Sequence, residues 1–276
     1  MDYITKDNII IFALHFNDKL DTNLLLKFNK LIFSDYELND ELFEAFENNN
    51  LYHLKYVGNK FNQEVNNLSQ NITHLTFGER FNQEVNNLPQ NITHLTFGER
   101  FNQEVNNLPQ TLTHLTFGWD FNQKVNKLPQ SLIHLTFGNY FNQEVFNLPH
   151  NITHITFGKC FNQIYDIQPS VKYLKLNCNN QYIINNLPNS VEELELCSLF
   201  NLKLNNLPTS IKKIIFECDT YDEELNCLPN FVEFLQLPKY YHEKISQLPI
   251  NLKTIKCSEN YIYLSDFDNY NVEYSH

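Results

Sequence analysis

The sequence predicts a β-rich, single-domain solenoid of about 20-residue coils, with a parallel sheet along one side and a helical cap at the N-terminus. Three observations predict it. Phe61 to Arg80 is repeated almost verbatim from Phe81 to Arg100, with Ser69 against Pro89 as the only difference, and the unit recurs from Phe101, Phe121, Phe141 and Phe161. Looser copies begin at Phe200, Tyr221 and Tyr241, with a less regular one around Asn180. Within the unit Leu75 and Phe77 alternate with polar neighbours, as in a half-buried strand. All 6 glycines, Gly58, Gly78, Gly98, Gly118, Gly138 and Gly158, stand 20 residues apart. A unit this short fits one strand and a tight return better than two packed helices.

Residues 1–50 do not read as ordinary coils. Ile9, Ile10, Ala13 and Leu14 lie on one helical face of Asp7 to Phe16, and Asp21 or Thr22 can cap a second helix through Leu24, Leu25 and Phe28. Two readings stand. In one, these helices cap the exposed end of the stacked core. In the other, Ile4 to Leu31 resembles a degraded F-box, with Ile9-Ile10, Ala13-Leu14 and Phe16, then Lys19, Asp21, Asn23-Leu24 and Phe28-Asn29-Lys30; Thr5-Lys6 replaces the usual Leu-Pro. That resemblance implies docking of Ile9, Ile10, Leu14 and Phe16 on a Skp-type subunit of a cullin ubiquitin ligase. Phe28, Leu31 and Phe33 suit a first irregular strand, and Asp40 to Phe46 a short helix.

The solenoid proper is expected over 51–264, followed by a tail, 265–276. Leu51, Leu54 and Tyr56 start the stack, with Val57 as an extra residue that a bulge absorbs. In the regular unit Ile72, Leu75 and Phe77 follow the apolar-x-x-apolar-x-apolar spacing of a leucine-rich repeat. Gly78 ends the strand, and Phe81, Val85 and Leu88 return the chain to Pro89, which closes the coil because it cannot donate to a ladder. Val171/Leu174/Leu176, Val191/Leu194/Leu196, Ile211/Ile214/Phe216, Val232/Leu235/Leu237 and Leu252/Ile255/Cys257 keep the skeleton. No coil buries its own apolar edge, so stability is collective.

Phe81-Asn82-Gln83, then Leu88-Pro89 and Ile92-x-x-Leu95-x-Phe97-Gly98, resembles the FNIP repeat family, which is leucine-rich-repeat-like and known chiefly from social amoebae and giant DNA viruses. The match covers roughly 51–260. After Phe161 the glycine has no counterpart, and Asn82 becomes Asp222 and His242. The resemblance implies an interaction module without catalytic residues.

Three columns carry the functional candidates. Asn62, Asn82, Asn102, Asn122, Asn142 and Asn162 each follow a core phenylalanine and are expected to hydrogen-bond the neighbouring coil as a structural ladder. His74, His94, His114, His134 and His154, beside Thr76, Thr96, Thr116, Thr136 and Thr156, point by alternation onto the outer sheet face, about 4.8 Å apart. That stripe reads as a neutral ladder that resists protonation, or as part of a partner-binding face; its spacing suits zinc poorly and no carboxylate accompanies it. The third column is where near-identical copies differ: Glu79-Arg80, Glu99-Arg100, Trp119-Asp120, Asn139-Tyr140 and Lys159-Cys160. Arg100, Trp119, Asp120, Tyr140 and Lys159 therefore join the candidate partner-binding set, with drift at a permissive loop as the alternative.

Composition narrows the class. With 42% hydrophobic residues in 276, a sizeable core is available. A net charge of −12 opposes binding to phosphate backbones, so nucleic acid is not an expected partner. No apolar run is long enough to span a bilayer and no basic signal segment opens the chain, so the expectation is a protein of the cytoplasm, of the host cell if the source is viral. The 6 cysteines have no Cys-x-x-Cys pair and read as reduced thiols, and the Asn-x-Ser/Thr matches at Asn67, Asn71, Asn91 and Asn151 read as repeat chemistry. No phosphate-cradling loop, nucleophile elbow or His-Glu-x-x-His is present, so no catalytic, cofactor or metal residue is expected. The function expected is rigid display to a protein partner, with a ubiquitin-ligase adaptor as the alternative and an enzyme as a remote one.

Overall fold

The computed structural model describes residues 3–13, 15–36, 58–197 and 200–274. Contacts group the chain into two compact units, Met1–Asn151 and Ile152–His276. In the first unit, strands β1 (Tyr3–Lys6) and β2 (Ile9–Phe12) form an antiparallel hairpin. Parallel pairing then runs from β2 through β3 (Lys30–Phe33), β4 (His74–Thr76), β5 (His94–Thr96), β6 (His114–Thr116) and β7 (His134–Thr136). The register is unbroken: Lys30 pairs His74, His74 pairs His94, and each Leu pairs the Leu of the next coil.

Two tight turns shape each regular coil. The Phe81 amide donates to the Gly78 carbonyl at 3.3 Å, and the Ile92 amide to the Pro89 carbonyl at 3.3 Å. Between them the chain lays Phe81, Val85 and Leu88 inward, with exposures of 0%, 2% and 3%. Two phenylalanine columns fill the interior. Phe61, Phe81, Phe101, Phe121 and Phe141 stack at 6.0 to 6.1 Å. Phe77, Phe97, Phe117 and Phe137 stack beside them at 5.7 to 6.0 Å, each 3.7 to 3.9 Å from the phenylalanine four residues on. Each buried ring contributes roughly 1.5–3 kcal/mol, and only a neighbouring coil makes the burial complete.

The second unit repeats the design with strands that, β12 excepted, are longer than those of the regular coils: β8 (His154–Phe157), β9 (Tyr173–Leu176), β10 (Glu193–Cys197), β11 (Lys213–Glu217), β12 (Phe234–Gln236), β13 (Thr254–Cys257) and β14 (Asn271–Tyr274), paired in parallel throughout. Here Tyr221, Tyr241 and Tyr261 take the place of the first phenylalanine column, and their hydroxyls donate to the carbonyls of Leu202, Glu223 and Glu243 at 2.9, 3.2 and 2.7 Å. A buried phenol is thus satisfied by the coil before it. The irregular coil is bridged by a short helix, Gln181–Asn185, whose N-cap Asn180 accepts from the Ile183 amide and which buries Ile183 and Ile184. Of the expected tail, 265–276, the described residues complete a 3₁₀ turn, Leu264–Phe267, and form strand β14.

The N-terminus differs from expectation. Ile9 to Phe12 is a strand, where a helical face over Asp7 to Phe16 was expected, and of the second helix only one turn forms, Thr22–Leu25, capped by Asp21. The reason is legible afterwards: Ile9-Ile10-Ile11 is a β-branched run, and Asp7-Asn8 before it makes a two-residue hairpin turn, with Asp7 at φ 51°. Phe12 stacks on Phe33 at 5.2 Å and Phe33 on Phe77 at 5.7 Å, so these segments already belong to the phenylalanine columns. Phe33 lies in a strand as expected, whereas the expected helix Asp40 to Phe46 and the bulge at Val57 lie outside the described residues.

Glycine is required where coils meet backbone to backbone. A Cβ on Gly98 would stand 2.0 Å from the Gly78 carbonyl oxygen, and one on Gly118 2.0 Å from that of Gly98. Gly98→Ala should therefore destabilise the chain by about 3 kcal/mol, the clash outweighing the smaller unfolded-state benefit of alanine. Urea denaturation followed by circular dichroism measures this; an unchanged midpoint contradicts the close approach.

Candidate functional site

The outer sheet face of the first unit is built by strand alternation. His74, His94, His114 and His134 share one column with Lys30, and Thr76, Thr96, Thr116 and Thr136 the next, while the intervening leucines are buried. The imidazoles stack at ring separations of 4.2, 4.1 and 4.2 Å, tilted by only 10 to 13°. Thr73, Thr93 and Thr113 each place a hydroxyl 2.9 Å from Nδ1 of the following histidine and so fix the ring plane. Burial, with Lys30 and other imidazoles nearby, lowers the pKa of His74, and lowers that of His94 to about 4. His74 and His94 are therefore uncharged at neutral pH.

At the edge of this face the variable residues occupy the central positions of the glycine turn. Coil-to-coil hydrogen bonds continue through that turn: the Arg100 amide donates to the Glu79 carbonyl at 2.9 Å, Asp120 to Glu99 at 2.8 Å and Tyr140 to Trp119 at 2.9 Å. The frame under the side chains is thus ordered. Trp119 and Tyr140 remain 52% and 53% exposed on it, Asp120 is exposed, and the Arg100 guanidinium pairs with Glu79 at 3.0 Å.

The asparagine column has a distinct geometry. The side-chain oxygens of Asn62, Asn82, Asn102 and Asn122 each accept from the amide of the next asparagine at 2.9 Å, and Asn17 begins the series by accepting from Asn62 at 3.0 Å. Gln83, Gln103, Gln123 and Gln143 donate to the same oxygens at 3.1 to 3.2 Å. One carbonyl oxygen with two lone pairs serves two donors. In the second unit Asn179, Asn201 and Asp222 resume the chain of bonds, at 3.0 and 2.9 Å.

In the second unit His154 stands beside Tyr173 at 5.4 Å, and Lys159 is exposed. Sequence reasoning missed the cluster that follows. Where regular coils have glycine, strands β10 and β11 run on to Cys197 and Glu217, which pair across the strands. Glu195, 8% exposed, accepts from Tyr173 Oη and Lys175 Nζ, and the Cys197 thiol donates to it at 3.6 Å. Lys175 also lies 3.7 Å from Glu217. Burial works to raise the Glu195 pKa, but Lys175 and Tyr173 outweigh it and hold the carboxyl below its usual range; burial pushes the Cys197 thiol up to about 12. Ligand atoms of Glu195, Cys197 and Glu217 lie within 4.8 Å of one another, yet the cation they hold is the lysine ammonium. The signal that could have found this cluster was the loss of glycine at these positions.

Of the residues proposed for ligase docking, Ile9 and Ile10 are buried and Phe16 is half-buried. Ile9 and Ile10 are 6% and 0% exposed within β2, Phe16 stacks on Phe61 at 5.9 Å, and Leu14 lies outside the described residues. Among the described residues no helix is long and apolar enough to cross a membrane.

Two outcomes test this geometry. Asn102→Ala removes the shared acceptor of Asn122 and Gln123 and should cost about 1 kcal/mol in urea denaturation, with Asn102→Asp, which keeps an acceptor, losing less. Lys175→Met strips the counter-ion from a buried carboxylate and should cost about 2 kcal/mol at pH 7, below the range for fully buried pairs because the lysine side chain is 28% exposed. In wild type the depressed Glu195 pKa stabilises the fold above the ordinary carboxylate value and that contribution is lost in acid. In the variant the carboxyl pKa is raised, so its deficit should shrink as pH falls; a deficit independent of pH contradicts this account.

Comparison with known proteins follows the repeat. The FNIP Repeat model matches 84–120, 101–140, 121–160 and 161–198. Among solved structures the chain is similar to the one described as CroV588, a novel circular LRR protein structure, with 31% sequence identity and a TM-score of 0.59 over 95% of this chain and 48% of that one. The chain spans about half the length of that relative. No curated protein matches the sequence.

Proposed function

Because the chain carries FNIP repeats over 84–198 and has a leucine-rich-repeat-like parallel-sheet fold, we propose that it is a protein-interaction scaffold, reading its partner with the outer sheet face and the glycine turns of the first unit. Repeat solenoids of this kind are generally scaffolds: the stacked coils hold binding groups in place before the partner arrives, so little ordering entropy remains to be lost on association. The observation that carries the reading is the half-exposed pair Trp119 and Tyr140 on a hydrogen-bonded turn ladder whose equivalent positions in the first unit are otherwise Glu, Asn, Lys, Arg and Asp. Tryptophan, tyrosine and arginine are the side chains that most often anchor interfaces. Arg100 and Asp120 flank them with opposite charges, and His94, His114, Thr96 and Thr116 extend the same surface with neutral polar groups.

The ubiquitin-ligase adaptor reading is not adopted. Its docking residues Ile9 and Ile10 are strand residues of the core, and exposing them would unravel the first coil.

Affinity capture from a lysate of the source cells, with the full chain as bait and mass spectrometry as readout, tests both readings. At least one protein should bind wild type and fall at least tenfold with Trp119→Ala/Tyr140→Ala, while circular dichroism stays unchanged. Equal recovery by the variant sinks the turn-surface reading, and recovery of a Skp-type subunit with a cullin restores the adaptor.

A further inference from the structure

The histidine column joins four stacked rings to a permanent cation. Lys30 pairs with His74 in register at one end, and His94, His114 and His134 follow; none of these five described positions is anionic. Against His94 lie His74 from β4 and His114 from β6, while the adjoining column offers Ile32, Thr76, Thr96, Thr116 and Thr136, all uncharged. The carboxylates closest along the coil, Glu79 and Glu99, belong to the glycine turns, and Glu79 is engaged by Arg100. Among the described residues, the charges acting on His74 and His94 are cationic, from Lys30 and from the protonated forms of His74, His114 and His134. His154 in the second unit provides the contrast, because Glu193 acts on it in the opposite sense.

We infer that this column is an acid-sensitive latch: uncharged, its rings stack and help to hold the regular coils in register, and acidification charges neighbours about 4 Å apart beside Lys30 and loosens those coils. The inference goes beyond partner binding, although the same coils carry Trp119 and Tyr140, so the display surface inherits the limit. The sign follows from linkage. A base whose folded pKa is depressed binds fewer protons folded than unfolded, so stability is complete above the ordinary histidine value of 6.5 and falls with pH toward the depressed value, about 4 for His94. Within that window each such group raises the unfolded-to-folded ratio by at most tenfold per pH unit, and partial exposure makes the effect smaller.

The test uses the full chain. Urea midpoints are measured from pH 7.5 to 4, and histidine ring signals are followed by NMR, assigned with single variants. Wild type should lose stability steeply between pH 6.5 and 4, with the His94 ring remaining neutral until close to pH 4. Lys30→Gln, a change at a half-buried position that leaves every ring in place, should move the His74 titration upward and flatten the loss; His94→Gln should flatten it too. Ring signals that titrate near pH 6.5, or an acid loss identical in wild type and Lys30→Gln, would overturn the latch. The Lys30 variant and the wild-type titration keep the test decisive even where His94→Gln fails to fold.

Discussion

Backbone-to-backbone contact between successive coils is the constraint on which the rest of the first unit depends. Parallel strands lie about 4.8 Å apart, and the regular coils keep that approach beyond the strand, through a turn where one glycine carbonyl occupies the space a Cβ would need on the next. Everything repeated at a 20-residue interval is thereby brought into contact with its own copy. Phenylalanine meets phenylalanine, asparagine accepts from asparagine, and histidine lies flat on histidine.

Like-on-like stacking has different consequences by chemistry. For apolar rings it is favourable and additive, because each coil completes the burial of its neighbour. For asparagine it is self-satisfying, since the amide donor of one coil finds the side-chain acceptor of the previous one. For a titratable ring it is favourable only while uncharged. The second unit escapes this limit by alternation of sign: Lys175 meets Glu195, Lys212 meets Glu192 and Lys253 meets Glu233, so unlike charges face one another across coils. Near-exact repetition and divergent repetition thus yield two electrostatic regimes on one backbone plan.

The N-terminal segment shows how a local pattern is overruled. Ile9, Ile10, Ala13 and Leu14 suit a helix by spacing, yet the β-branched run can also pair, and pairing with β3 places Phe12 over Phe33 at the head of a column of aromatic rings. A helix there would leave the edge of β3 without its partner strand. Asp35 and Asn59 complete the junction: the Asp35 carboxylate accepts from the Asn59 and Glu79 amides at 2.6 Å each, and the buried Asn59 side chain donates to the Ala13 and Ser34 carbonyls at 3.0 Å. Asp35 lies outside the repeat, and Asn59 stands where the next coils have Glu79 and Glu99, so no periodicity marks the junction.

The sequence by itself determined the coil length, the inward set Phe81, Val85, Leu88, Ile92, Leu95 and Phe97, and the outward columns of histidine, threonine and turn residues. Period and alternation translate directly into which side faces the core, and repetition removes ambiguity of register. Tertiary structure alone decided that Ile9 to Phe12 is a strand, that glycine is required by the carbonyl of the coil before, and that Glu195, Cys197, Glu217 and Lys175 converge. Those outcomes depend on which groups meet across coils. Contacts of that kind bring together residues whose identities are locally unremarkable, and their energies come from distance and burial, which a linear pattern does not contain.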